Sequence, residues 1–345
     1  MSVPTPERNP NLHRRGVMAG SAGLFVAAFA GAATGQSASI NARMAGDFVP
    51  VHDPCIIRQG DTWYLFSTTG SINTEPGGLI PIRTSTDLIH WERKGFVLDT
   101  LPTWAAEAVP GSSGAWAPDI ALINGRYHLY FSVSTFGSNV SAVGLLTNTT
   151  LDPAAPDYRW EDQGIALRSG RFDRFNAIDS NVAQDLDGDW WISWGSFWTG
   201  LKIARLDPAT GKRADDRVHD IARRPRPSAV EAPFIITRDG YHYLFASHDF
   251  CCRGTTSTYK LVCGRSRQIT GPYLDVNGAS MMEGGGNLVV DADTRFAAMG
   301  HNAVLREGER DFLVYHAYDR TAGGAPTLRI SPIYWTPDGW PRAAL

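Results

Sequence analysis

Five times along this chain a polar residue opens an apolar run, a tight turn ends that run, and a strand rich in aromatic residues follows. The openers are Asp53-Pro54, Pro118-Asp119, Asp179-Ser180, Glu231-Ala232-Pro233 and His301-Asn302. The turns are Gly60-Asp61, Asn124-Gly125, Asp187-Gly188, Asp239-Gly240 and Glu307-Gly308, and the strands that follow include Trp63-Tyr64-Leu65-Phe66 and Tyr241-His242-Tyr243-Leu244-Phe245. Asn-Gly and Asp-Gly take positive φ cheaply, so they close two-residue hairpins. The openers are 66, 60, 52 and 70 residues apart, which divides the chain after its first 38 residues into about five units. A period of that length, built from several short strands, predicts propeller blades rather than a solenoid. The expected fold is all-β: one five-bladed β-propeller with its functional site at one mouth of the central channel. A two-sheet sandwich also uses short alternating strands, but nothing in it requires the same order five times.

In a propeller the first strand of every blade lines the channel, and all of them run the same way. The openers should therefore ring one mouth, bringing Asp53, Asp119, Asp179, Glu231 and His301 around one pocket. Carboxylates gathered where water is partly excluded push one another's pKa values apart. Two carboxyl groups facing across such a pocket are what glycoside hydrolysis uses, one protonating the leaving oxygen and the other acting on the opposite face of the sugar. Most aromatic residues, Trp190-Trp191 among them, read as packing between blades. Phe136, Phe197 and Trp198 run past their strands into loops and are expected in the cleft, where flat rings stack on sugar faces.

The remaining composition narrows the function further. Lys and Arg total 32 against 35 Asp and Glu, so no basic surplus draws phosphate backbones and a nucleic-acid partner is not expected. Aromatic residues at 11% argue against disorder. Cys55, Cys251, Cys252 and Cys263 are too few for a disulfide scaffold and lack metal-ligand spacing; the redox state of the adjacent Cys251 and Cys252 stays open. Asp185-Leu186-Asp187-Gly188-Asp189 has the wrong frame for a calcium-binding EF-hand loop and reads as a hairpin turn. Arg223-Arg224-Pro225-Arg226 reads as a solvated connection between blades three and four. At the N-terminus, Arg14-Arg15 precedes a weakly apolar stretch from Gly16 to Thr34 and small residues suited to cleavage. Residues 1–38 are expected to be an export signal of the twin-arginine type, with a retained anchor as the alternative, and residues 39–345 the propeller. The mature protein is expected to be periplasmic or extracellular, off the membrane and monomeric.

Five motifs carry a resemblance to glycoside hydrolase family 43: His52-Asp53-Pro54, Ala115-Trp116-Ala117-Pro118-Asp119, Asn176-Ala177-Ile178-Asp179, Val230-Glu231-Ala232-Pro233 and Gly300-His301-Asn302. More narrowly, Trp194-Gly195-Ser196-Phe197-Trp198, Cys251-Cys252-Arg253-Gly254, Ser257-Thr258-Tyr259-Lys260 and Gly284-Gly285-Gly286 resemble the endo-acting arabinanases within it. The resemblance implies an inverting hydrolase that cuts internal α-1,5-L-arabinofuranosyl linkages of arabinan, a plant polysaccharide. It makes Asp53 the general base, Glu231 the general acid, and Asp179 the residue that holds Glu231 and raises its pKa. Inversion needs acid and base roughly 6.5–9.5 Å apart, to admit the water. Asp119 has no acid or base role in the family and is expected to be structural or at the rim. His301 would hold one metal ion, calcium, in the channel with water completing its shell. Gly137 would bring backbone close to the sugar, and Asn176, Ser196, Phe197 and Trp198 would line the subsite at the cleavage point together with Asp53 and Asp179. Two rival readings share these features. One is an exo-acting α-L-arabinofuranosidase or β-xylosidase with the same three carboxylates, although the chain ends right after the fifth blade, without the large C-terminal domain common in those enzymes. The other is a sugar-binding propeller without catalysis, which would not need to keep both an acid and a base.

Overall fold

The computed structural model describes residues 40–69 and 77–344. The expected export signal, residues 1–38, lies outside them. Among the described residues no helix is long and apolar enough to cross a membrane.

Five antiparallel sheets follow one another along the chain. Blade 1 comprises Cys55–Gln59, Thr62–Phe66, Leu79–Ser85 and His90–Leu98, and blade 2 Trp116–Ile123, Arg126–Val133, Ser141–Asn148 and Glu161–Ser169. Blade 3 has Asn181–Gln184, Trp190–Trp194 and Leu201–Asp207, with both Lys212–Arg213 and His219–Ala222 paired to the third strand. Blade 4 comprises Val230–Arg238, Tyr241–His248, Lys260–Ser266 and Asn287–Val290; blade 5 comprises Phe296–Glu307, Arg310–Asp319, Ala325–Trp335 and Pro341–Ala343. The first strand of each blade touches that of the next, and the fifth returns to the first, so the ring is closed. This is the five-bladed propeller that the repeat predicts.

The turns do what their residues dictate. Asn124 and Gly125 both have positive φ, as do Asp239 and Gly240, so each pair closes a two-residue hairpin of the kind that matches strand twist. The loop after Gln184 is longer, and Asp185 holds it by accepting the amides of Asp187 and Asp189.

Apolar faces meet between blades rather than within them. Phe66, Ile82, Leu129 and Phe131 form the core between blades 1 and 2, and Tyr130, Leu145, Ile192 and Trp194 that between 2 and 3. Ile203, Ile235 and Leu244 fill the next gap, and Tyr243, Phe245, Leu313 and Tyr315 the one after it. Trp190 and Trp191 are half-buried against two of these cores, as expected. The gap between blades 5 and 1 is sealed by the segment that precedes the first blade. Val51 donates its amide to Pro326, Leu328 donates to Phe48, and Asn41 accepts the Ile330 amide. Met44 and Val51 pack there with Trp91, Leu305 and Leu328.

The expected solvated run at Arg223–Arg226 is more tightly held than its composition suggests. Arg224 bonds Asp249 at 2.6 Å and the Ala229 carbonyl, while Arg223 pairs with Glu283.

Candidate active site

In or just before the first strand of every blade one non-glycine residue has positive φ: Asp53 (50°), Ala117 (45°), Asp179 (58°), Ala232 (57°) and His301 (48°). Such φ values are uncommon without glycine and mark bulges that re-aim side chains. In blades 2, 4 and 5 the register shifts at this point. Each bulged amide would be lost to the ladder, and each is satisfied by a side chain of the preceding blade. Thr68 accepts from Ala117, Ser132 from Asp179, Ser247 from His301, His316 from Asp53, and the Asp179 carboxylate from Ala232. This belt turns the openers into the mouth and meets the requirement that buried amides be bonded.

One wide cavity of about 580 Å³ opens at that mouth. Asp53, Asp179, Glu231 and His301 all line it, although up to 248 residues separate them in sequence. Asp119 does not. The bulge in blade 2 falls on Ala117, so Asp119 sits two residues further down its strand. There it is buried and accepts the Val182 amide and Asn181 Nδ2. Asn181 in turn accepts the Ile235 amide, so the two side chains tie blades 2, 3 and 4 across the channel. The expectation that all five openers share one pocket is corrected to four, and Asp119 is structural without lying at the rim.

Burial pushes the Asp119 pKa up from 3.8 to about 7. Between those values the native state holds a proton that the unfolded chain has released, so this group makes stability fall as pH rises through that window. Asp119→Asn should therefore flatten the change in urea midpoint between about pH 4 and about pH 7. A variant whose midpoints track the parent's across that range would remove the assignment.

The three carboxylates of the cavity are set differently. Burial acts to raise Asp53, but His52 and His301 outweigh it and hold the carboxyl well below its ordinary value. His52 Nδ1 lies 2.7 Å from Oδ2, His301 Nδ1 lies 3.1 Å from Oδ1, and Thr68 donates to Oδ2 at 2.6 Å. Glu231 is pushed up by burial despite hydrogen bonds from Ser196, at 2.6 Å, and Tyr259. Burial raises Asp179 well above its ordinary value; His301 opposes this, and the charges of Glu231 and Asp53 add to it. Burial would lower His301, yet Asp53 first, then Asp179 and Glu231, lift it to about 9. The mouth thus places an ionised carboxylate and a pair of carboxyl groups that favour their protons in one chamber.

The other expected contacts also line the cavity: Gly137, Asn176, Ser196, Phe197 and Trp198. Gly137 has φ of 79° with open space beside it. Asn176 is buried, and its Oδ1 has no hydrogen-bond partner among the described residues, so it is free to meet a ligand. Phe136 (72% exposed) and Trp198 (37%) stand at the cleft as expected. Cys251 and Cys252 are joined as a disulfide on the cavity wall, beside Phe250 and Arg253.

Two residues of the site carry no mark in the sequence, His316 and Tyr318, since both lie in an apolar run that reads as core. His52 and Tyr259 stand inside motifs that carry the resemblance, without a role of their own there. The one trio of potential metal ligands within 4.8 Å of one another among the described residues is His52, Asp53 and His316, which leaves out His301.

A closed propeller with paired acidic groups of opposite tuning in one mouth defines a carbohydrate-cleaving hydrolase rather than a lectin-like binder. Residues 49–341 match the family described as glycosyl hydrolases family 43, and the chain belongs to that family. It is 44% identical to an extracellular exo-α-(1→5)-L-arabinofuranosidase of Cellvibrio japonicus, over 85% of this chain and 86% of that one. Identity to an extracellular endo-α-(1→5)-L-arabinanase of Bacillus subtilis is 40%, over 84% and 87% of the two chains. The solved structure of a Cellvibrio cellulosa α-L-arabinanase complexed with arabinohexaose superposes with a TM-score of 0.81 at 42% identity, covering 86% of this chain and 96% of that one.

Proposed function

We propose that this protein is an inverting endo-1,5-α-L-arabinanase acting on arabinan. The observation that carries this reading is the placement of Asp53, held ionised, and Glu231, raised toward its protonated form, on one cavity. Asp53 polarises a water toward the anomeric carbon of an L-arabinofuranose while Glu231 gives its proton to the departing oxygen, in a single displacement. Asp179 positions Glu231 by accepting the amide of Ala232, the next residue, and burial, with the charge of Asp53 adding to it, favours the protonated acid. Gly137, Asn176, Ser196, Phe197 and Trp198 receive the sugars at the point of cleavage. Names of relatives support arabinan as the substrate, since both curated relatives and the hexasaccharide complex concern it.

A second reading, exo action, is favoured by the 44% identical relative named for it. Digestion of linear arabinan separates the two. We expect oligosaccharides of several lengths in the first minutes; arabinose alone at that stage would replace the endo reading with the exo one.

We further propose that His301 contacts one metal ion, calcium, in the channel. Its Nδ1 faces Asp53, no group among the described residues takes its Nε2, and the ionised Asp53 brings negative charge to the same mouth. One protein nitrogen leaves the rest of the shell to water, so the site would distinguish hard cations weakly. A bound ion would supply fixed positive charge beside the carboxylates. Adding calcium to chelator-treated protein should raise the Tm of the parent but not of His301→Ala; an equal rise in both would count against His301.

The relatives' description as extracellular supports action outside the cytoplasm, and Arg14-Arg15 supports the twin-arginine route. We take the working form to be a monomer, free of the membrane and of nucleic acid.

A further inference from the structure

Two acceptors in the belt of bulged amides are not hydroxyls: the Asp179 carboxylate, which already has a place in the site, and His316. Thr68, Ser132 and Ser247 each accept a bulge amide with a hydroxyl, yet the Asp53 amide is taken by the larger imidazole of His316, at 3.1 Å to Nδ1. A serine would satisfy that amide as it does elsewhere, so the second nitrogen of His316 is the part to account for.

Backbone donors cannot reverse, and two of them set the direction of the bonds that reach the Tyr318 oxygen. Because Asp53 N–H donates to His316 Nδ1, the proton of a neutral His316 sits on Nε2, 3.3 Å from the Tyr318 hydroxyl. Burial first, then the neighbouring His52, pushes His316 well below its ordinary pKa, which keeps the ring neutral. The Cys252 amide, beside the vicinal disulfide, also donates to the Tyr318 oxygen, at 2.9 Å. With two donors arriving, the phenol sends its own proton outward, where both His52 Nε2, 2.7 Å away, and the Ser257 hydroxyl are partners, and the short contact favours His52. His52 Nε2 then accepts, and the nitrogen that carries the His52 proton is Nδ1, which lies 2.7 Å from Asp53 Oδ2 as a close charge–dipole contact without the alignment of a hydrogen bond. The circuit leaves Asp53 through its amide and returns to its carboxylate. The His52 and His316 rings stack with centroids 3.9 Å apart, which holds the two imidazoles in one relative orientation.

We infer that His316 and Tyr318 are positioning residues for the Asp53 carboxylate: they set the tautomer of His52 so that it presents N–H, not a lone pair, to that carboxylate. This rests on Asp53 being the general base. A lone pair facing Oδ2 would repel the ionised carboxylate and turn it away from the water it serves. The fourth side of the circuit is anchored by the Cys251–Cys252 loop, so the cavity wall and the base are physically joined.

His316→Ser should keep the Asp53 amide satisfied, as Ser132 and Ser247 do in their blades, while cutting the circuit. Tyr318→Phe cuts it at the next link. Both variants are expected to lose about 10–100-fold in kcat on linear arabinan, with KM within about twofold, the loss usual for partners that orient a reacting group. Nitrogen-15 spectra of the histidine rings give a readout that packing alone would not move. With signals assigned by their disappearance in His316→Ser and His52→Gln, the parent should show His316 protonated on Nε2 and His52 on Nδ1. Tyr318→Phe should shift both. A parent in which His52 carries its proton on Nε2 overturns the inference, as does His316→Ser or Tyr318→Phe with the parent's kcat, or with KM rising as far as kcat falls. If neither variant folds, the parent's tautomers decide. Should Asp53 not be the base, Asp53→Asn would retain turnover while the tautomers stood as described, so the two failures are separate.

Discussion

Glu231→Gln should lower turnover on arabinan by about 10²–10⁴-fold, the usual contribution of a positioned proton donor. Glutamine keeps the shape of the side chain and can still accept from Ser196 and Tyr259, the two hydroxyl groups that hold Glu231 now. Binding of arabino-oligosaccharides should therefore change little, and the loss should fall on kcat. The informative comparison is the leaving group. An aryl arabinofuranoside that departs as a stable phenolate needs no proton, so the variant should recover most of its rate on it. Asp53→Asn should stay slow on both substrates, because every attack needs an activated water.

The same pair of substrates reads the pH dependence. Burial raises Glu231 and Asp179 together, and each feels the other's surroundings, so the alkaline limb of the rate profile belongs to the pair rather than to one residue. Raised carboxyl pKa values move that limb upward from the ordinary carboxylate range, and activity falls as pH rises through it. In Glu231→Gln with the activated substrate the limb should vanish. A variant as fast as the parent on arabinan would remove Glu231 as the acid. A limb that persists unchanged on the activated substrate would assign it elsewhere.

What could be read from the sequence, and what could not, follows from the range of the physics involved. Asn124-Gly125 and Asp239-Gly240 are local: two residues set the turn, and the turn sets the hairpin. Five such hairpins at similar spacing were enough to fix the ring and to place four openers at one mouth. Asp119 shows the limit. Its motif resembles the other openers, but the bulge fell on Ala117, two residues earlier, and a shift of two positions along a strand keeps the face and changes the depth. His316 and Tyr318 were hidden for another reason. Each is a polar-tipped ring in a run whose neighbours are core, and only long-range closure brings its polar end toward Asp53. A signal was present in part: Ser132, Ser247 and Thr68 each stand just beyond an aromatic stretch, at the place where the next blade's bulge needs an acceptor. Read together, those hydroxyls predict the belt, and His316 and Asp179 then stand out as the two residues that depart from it.

Gly300→Ala should be among the most damaging small substitutions at the active-site mouth. A Cβ built on Gly300 would lie 1.9 Å from Tyr259 Cδ1 and 2.2 Å from Cε1, far inside any real contact. The ring cannot yield easily, since Tyr259 is fully buried, packed with Ala298 and Tyr318, and stacked on His316. Its hydroxyl bonds Glu231 and Ser247, so moving it also loosens Glu231 and the residue that caps the His301 bulge. Overpacking of this kind costs ~3 kcal/mol or more where neighbours are locked. Gly137→Ala provides the contrast within the same cavity: nothing lies within 4 Å of its added Cβ, and only the φ of 79° resists it. That variant should lose only ~1–2 kcal/mol, the cost of a left-handed alanine. Tyr259→Ala should make room, so adding Gly300→Ala to it should cost far less than adding it to the parent, a coupling that a double-mutant cycle measures directly. Urea midpoints of the four proteins check the clash: equal losses from Gly300→Ala in both backgrounds would mean that the methyl group meets something other than this ring.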